Sequence, residues 1–258
     1  MPKKKPKQPP RANLFLLLSL FILAILLTAT KGSSLFTKED GDLSETLSPT
    51  TSLIKEIDLP APSKSGRVSV EQALFQRRTQ RKFFDKAIGL KQLSQMLWSL
   101  QGVTADWGGR TVPSARSAYP LEIYIVALKV DSLSPGLYRY IPGNLKPIHK
   151  LGLLREANLT EQILASAKQS SAKNTPAVLV ITGNFHKMTE AFQGTHADNN
   201  VYLEAGHAAQ NLYLQVETLG LGTVVIGGFD ESATYRLLGS PINERVIYVI
   251  PVGYPDES

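Results

Sequence analysis

The chain has 258 residues, 43% of them hydrophobic, no cysteine, and a formal charge of +6 at pH 7. That length suits one well-buried domain with an appendage, and the missing cysteine excludes disulfides, thiolate nucleophiles and Cys-based metal sites. Lys3, Lys4, Lys5, Lys7 and Arg11 carry five of the six net positive charges, so the rest of the chain is nearly neutral and lacks the basic face expected of a nucleic-acid binder.

The first elements are targeting elements. Residues 1–13 form a basic tail, and residues 14–30 (LFLLLSLFILAILLTAT) carry no charge. A run of that length sits at the short end of what spans a bilayer, and the preceding lysines predict a tail that stays cytoplasmic. The folded domain is then expected outside the cytoplasm, held at the membrane by one helix. A cleaved signal peptide is the alternative, although Leu27-Thr28-Ala29 makes a poor cleavage site. Residues 31–64, rich in Ser, Thr, Pro, Asp and Glu, read as a flexible linker, and residues 65–258 as the folded domain.

Within that domain Ser69 and Gln72 have the spacing of a capping box, opening a helix through Ala73 to Arg78. Leu90, Leu93, Leu97 and Leu100 predict a second helix that Gly102 stops. Leu121 to Leu128 is a strand, and Gly136 to Leu151 a hairpin around Pro142-Gly143-Asn144. Thr160 to Lys168 reads as helix and Pro176 to Thr182 as buried strand. Val201, Ala205, Ala208, Leu212, Val216 and Leu219 share one face of a long helix. Tyr202, Leu203, Ala209, Tyr213 and Leu214 make it apolar nearly all round, so it is expected to be buried. Gly220 and Gly222 end it, and Thr223 to Ile226 begins a strand that stops at Gly227-Gly228. Asp230 caps a short helix to Leu238, and Glu244 to Val252 is the last strand. Helices alternating with strands and one hairpin predict an α+β domain built on a mixed sheet.

Several stretches carry candidate chemistry. Arg77, Arg78 and Arg81 beside the Thr79 hydroxyl suit a phosphate or another planar anion, and equally suit a solvated helix end. Pro113-Ser114-Ala115-Arg116-Ser117 is a hydroxyl-rich loop entering a buried strand, with no nucleophile elbow around Ser114. The four histidines have no metal-ligand spacing, and His207, one turn from Glu204, reads as a satisfied core histidine. No glycine-rich phosphate loop of the Walker or dinucleotide type is present.

Taken in order, RRTQRKFF (Arg77–Phe84), RTVPSARSAYPLEIYIVAL (Arg110–Leu128), GLYRYIPGN, LEAGHAAQNLYL and LGLGTVVIGGFD resemble the nitroreductase-like flavoproteins, and most closely their SagB-type branch, the thiazole/oxazole-forming peptide dehydrogenases. The resemblance spans Val70 to Tyr254. It implies a homodimer whose long buried helix lies at the interface, with FMN in each cleft. It assigns the FMN phosphate and ribityl chain to Arg77, Arg78 and Thr79. Arg81 falls near the pyrimidine edge of the flavin, where a cation favours the reduced ring. Pro113, Ser114 and Ala115 match the loop that reaches the flavin from the partner, and Gly227 and Gly228 the backbone beside the reactive ring nitrogen. The implied function is an FMN-dependent oxidoreductase, NAD(P)H-linked, passing two electrons to an organic acceptor of small-molecule or peptide type. Two positions depart from the pattern: Phe192-Gln193 stands where the branch carries a Lys-Tyr pair tied to azoline oxidation, and Arg116 where its PSAG loop has glycine. A peptide azoline dehydrogenase and a catalytically silent flavin-fold binding module are the competing expectations.

Overall fold

The computed structural model describes residues 52–143, 148–241 and 243–257. The predicted anchor at residues 14–30 and the basic tail lie outside the described residues. Among the described residues no helix is long and apolar enough to cross a membrane.

The frame is a seven-stranded sheet of β1 (Lys55–Asp58), β2 (Leu121–Ala127), β3 (Gly136–Ile141), β4 (Lys150–Arg155), β5 (Ala177–Asn184), β6 (Gly222–Thr223) and β7 (Glu244–Gly253), ordered β1-β4-β3-β2-β5-β7-β6. Among the described residues six α-helices accompany it: α1 (Val70–Gln76), α2 (Leu90–Gln101), α3 (Thr160–Ser166), α4 (Phe185–Ala191), α5 (Asp198–Thr218) and α6 (Glu231–Leu238). The α+β class expected from the sequence is the class adopted. The sheet is not the mixed one expected: among the described residues every ladder is antiparallel, and parallel pairing is confined to the isolated bridges Thr79–Thr223 and Ile88–Val130.

The strand sequences explain the layering. Side chains alternate across a strand, so Ile123, Ile125, Leu179 and Ile181 join α2 and α5 in one core, with Leu93, Leu97, Ala205 and Leu212. Tyr124, Val126, Val178 and Val180 join α3 and α6 in the other, with Ile163, Leu164 and Leu238. Both faces are covered, which is why β2 and β5 read as nearly continuous apolar runs.

Three further expectations need correction. Residues 31–64 are not linker throughout: β1 pairs with β4 from Lys55↔Leu153 to Asp58↔Lys150, and Leu59 is buried. Only one face of α5 is buried, through Val201, Glu204, Ala205, Ala208, Leu212 and Val216, while Tyr202 and Leu203 are 47% and 60% exposed. The strand expected over Thr223 to Ile226 stops pairing in β6 at Thr223, with Ile226 returning as a single bridge to Val249. The helix ends behave as their chemistry demands. Ser69 Oγ accepts from Gln72 N at 3.1 Å, and Asp230 Oδ1 from Ala233 N at 2.8 Å. Gly220, at φ +65°, closes α5 with its N–H on Glu217 O and that of Leu221 on Val216 O, the paired bonds of a glycine-terminated helix.

Candidate functional site

Two half-sites form on α5. The first gathers around Tyr213. Arg77 terminates α1 and lays its guanidinium over the Tyr213 ring, 5.1 Å from the centroid. Thr79 Oγ1 lies 3.4 Å from Tyr213 Oη, and Gln80 N donates to Thr223 O at 2.9 Å. From the other side Val225 N donates to the same Tyr213 Oη at 3.1 Å. One phenol therefore ties the arginine-rich segment to the strand leading to Gly227 and Gly228. Arg78 donates its backbone N–H to Glu217 and turns its guanidinium back onto the carbonyls of Phe75 and Arg77. Arg81 is exposed.

Gly227 and Gly228 present exposed backbone just beyond the Ile226–Val249 bridge. A Cβ at Gly227 would meet the Tyr248 ring at 3.6 Å, an ordinary contact, and one at Gly228 would meet nothing within 4 Å. Packing within the chain does not demand glycine at 228. The open side at this position leaves the backbone accessible from solvent.

The second half-site is the loop from Arg110 to Pro120, which holds Pro113, Ser114 and Ala115. It is strained: Arg116, Ser117 and Tyr119 have φ of 53°, 52° and 46°, a left-handed conformation costing about 1–2 kcal/mol per non-glycine residue. Side chains from α2, α4 and α5, together with the loop's own, hold it there. Asn211 Nδ2 on α5 donates to Thr111 O and Ser99 O, each at 3.2 Å. Tyr119 N donates to Ser114 Oγ at 2.8 Å, and Lys187 Nζ on α4 to Tyr119 O at 2.9 Å. Arg116 lies over the Phe192 ring at 4.8 Å and donates to Ala191 O. Arg110 stacks on Tyr119 at 4.5 Å and donates to Gln101 Oε1 at 2.9 Å, while Gln101 Nε2 donates to Glu204 Oε1 at 3.1 Å. Burial holds the Glu204 carboxyl above, and the Arg110 guanidinium below, their ordinary pKa values.

The half-sites do not meet in one chain. Glu204 and Tyr213 are nine residues apart, which on a helix is about 13 Å along the axis and half a turn around it. Arg77 and Thr79 thus come together with the segment running to Gly227 and Gly228, and Pro113, Ser114 and Ala115 sit on the opposite side of α5. His207 is exposed, contrary to the core position expected for it. The buried histidine is His149, with Nδ1 2.8 Å from Tyr140 Oη and Nε2 3.0 Å from Pro60 O. Tyr213 and Glu204 were the residues that periodicity passed over. The first reads as apolar surface, and the second as one member of a polar stripe with His207 and Asn211.

Comparison with known proteins agrees with this architecture. The model of the Nitroreductase family matches residues 74–254. A Methanocaldococcus jannaschii protein bearing the nitroreductase name is 36% identical over 198 residues, covering 77% of this chain and 96% of the relative. A Vibrio harveyi NADPH-flavin oxidoreductase is 41% identical over a shorter stretch of 58 residues, 22% of this chain and 24% of that protein. Among solved structures, a nitroreductase-type protein from Ralstonia eutropha superposes with a TM-score of 0.67 at 29% identity, over 79% of this chain and 90% of that one.

Proposed function

Because this chain belongs to the nitroreductase family of oxidoreductases, we propose that it is an FMN-dependent enzyme of the SagB-type branch. It works as a homodimer, takes electrons from NAD(P)H and passes them in pairs to an organic acceptor. The observation that supports this most is the placement of the two half-sites on opposite sides of α5, so that a complete site needs a second copy of the chain. Tyr202 and Leu203, exposed on α5, are the apolar surface that such a copy would cover.

The residues present fit the cofactor. Arg77, propped on the Tyr213 ring, offers a forked donor to a phosphate beside the Thr79 hydroxyl, and Arg78 adds a second positive charge. Arg81 brings a further cation toward the pyrimidine edge. The open backbone at Gly227 and Gly228 lets N–H groups approach a ring. Bound flavin supplies the two-electron chemistry, and the chain supplies position and electrostatics. The second copy's Pro113-Ser114-Ala115 loop closes over the opposite edge. Azoline oxidation is the less favoured activity, since Phe192, at the position of the missing Lys-Tyr pair, carries the Arg116 guanidinium instead.

The test is the visible spectrum of the full-length chain purified in detergent, with identification of any pigment released by heat. FMN in the supernatant, and a roughly tenfold weaker FMN affinity in Arg77→Ala, a loss of about 1.4 kcal/mol, are expected. A colourless protein that ignores added FMN would leave a silent binding module. We also place the folded domain outside the cytoplasm, anchored by residues 14–30. Digestion by protease added to intact cells is expected, and full protection would reverse that orientation.

A further inference from the structure

Arg116 stands in the left-handed region at φ 53° and ψ 24°, where glycine is the residue without strain. It is exposed, so burial of its side chain does not hold it there. Its guanidinium lies over the Phe192 ring, 4.8 Å from the centroid, and Nη1 donates to Ala191 O at 3.4 Å, at the C-terminal end of α4. The segment that receives it is strained as well, with Gln193 at φ 55°. A cation–π contact at an exposed site repays no more than a left-handed arginine costs. The fold therefore gains nothing from arginine over glycine here, and strain of that kind is kept where it serves a ligand. Among the described residues no carboxylate lies within ion-pair distance of Arg116; Glu190, beside Ala191, pairs with His186 at 3.5 Å instead. A second cation stands on the same helix end, since Lys187 Nζ donates to Tyr119 O.

We propose that Arg116 is a specificity-determining residue, and that the organic acceptor carries a carboxylate which Arg116 binds. The forked donors of a guanidinium match the two oxygens of a carboxylate. Phe192 and the Ala191 carbonyl hold the cation in place before the ligand arrives, which lowers the cost of ordering a long side chain. Lys187 adds positive potential on the same side. The carboxylate is a handle for binding and takes no part in electron transfer. The inference rests on the reading of Pro113-Ser114-Ala115 as the loop that closes over the second copy's flavin, because Arg116 is the next residue of that loop.

The experiment compares two acceptors with the same nitroaromatic ring, 4-nitrobenzoate and its methyl ester, on the full-length FMN-loaded protein. Each takes a hydride from NADPH and a proton from solvent, giving the nitroso compound, NADP+ and water. Wild type should prefer the carboxylate about tenfold in kcat/KM, the worth of one charge-assisted hydrogen bond. Arg116→Gly should abolish that preference, through KM. Apart from turnover, calorimetry should show benzoate binding weakened about tenfold in Arg116→Gly and to a lesser extent in Phe192→Leu. Arg236→Gln, an exposed arginine on α6, should bind benzoate as wild type does. Glycine relieves the strain at 116, so that variant should unfold no earlier than wild type, and weak binding cannot be blamed on misfolding. A preference or a benzoate affinity that survives Arg116→Gly overturns the proposal while leaving the cofactor assignment standing, as does a loss that falls on NADPH alone. Wild-type protein that binds no FMN overturns both.

Discussion

Removing one hydroxyl, in Tyr213→Phe, separates the site from the scaffold more cleanly than any change at the arginines. Tyr213 Oη accepts from the half-buried Val225 N at 3.1 Å and shares a 3.4 Å contact with Thr79 Oγ1. Phenylalanine leaves the Val225 N–H without an acceptor, a loss of about 1–2 kcal/mol when the group is partly desolvated. For a domain of this size that lowers Tm by roughly 3–6 °C. The ring remains, so Arg77 keeps its platform. The larger effect should fall on ligand binding, because residues 77–79 and 225–228 lose their common post, and FMN affinity should drop about tenfold. Thermal unfolding by circular dichroism and flavin-fluorescence titration read the two effects separately. Thr79→Val added to Tyr213→Phe should cost less than the sum of the single changes, as expected for one network. A variant with lowered Tm and wild-type FMN affinity would refute the reasoning, since the hydroxyl would then serve the fold alone.

Two further outcomes are expected. Gly228→Ala meets no neighbour within 4 Å, so it should unfold within about 1 °C of wild type yet bind FMN several-fold more weakly; unchanged affinity would show that no ligand approaches there. His149 is buried in its neutral form, with its pKa lowered chiefly by burial. As pH falls below about 6.5, the unfolded chain takes up that proton first, so native stability declines. Burial raises Glu122, Glu204 and Glu244, and these act oppositely: the folded chain binds their protons first, adding stability as pH falls from their raised values toward about 4.5. The Tm advantage of wild type over His149→Asn should therefore shrink between pH 7 and pH 5. A constant gap would contradict it.

Elements with a strong periodic or capping signal were legible in the sequence. The β-branched runs of β2, β5 and β7, the leucine spacing of α2, and the caps at Ser69 and Asp230 all led to the structures found. What escaped notice lacks such a signal. Strand β1 is Lys-Glu-Ile-Asp, an edge strand with almost nothing to bury, so its composition resembles the linker before it. Helix α4 is seven residues long, too short for a stripe, and its start at Asn184 is a lone cap. Among site residues, the arginine cluster and the double glycine stand out by composition. The link between them passes through a phenol on a helix that reads as apolar nearly all round, and Glu204 owes its importance to its surroundings. His207 was misplaced because helical spacing says that two residues share a stripe, and leaves open whether the stripe faces inward.

The short first strand also bears on how the protein can be handled. Lys55–Asp58 covers the outer edge of β4, and Lys150 on β4 pairs with Glu56 and Asp58 across that seam. A shortened chain beginning at Ser65, at the start of the predicted domain, would strip this charged cover from β4. The row of N–H and C=O groups beside Leu151 and Leu153 would then be a template for strands of other molecules. Such a protein should self-associate into fibrous or amorphous aggregates at concentrations where the longer chain stays dispersed. The charged residues before Leu59 would then serve as a guard against aggregation, in a segment that looks like spacer.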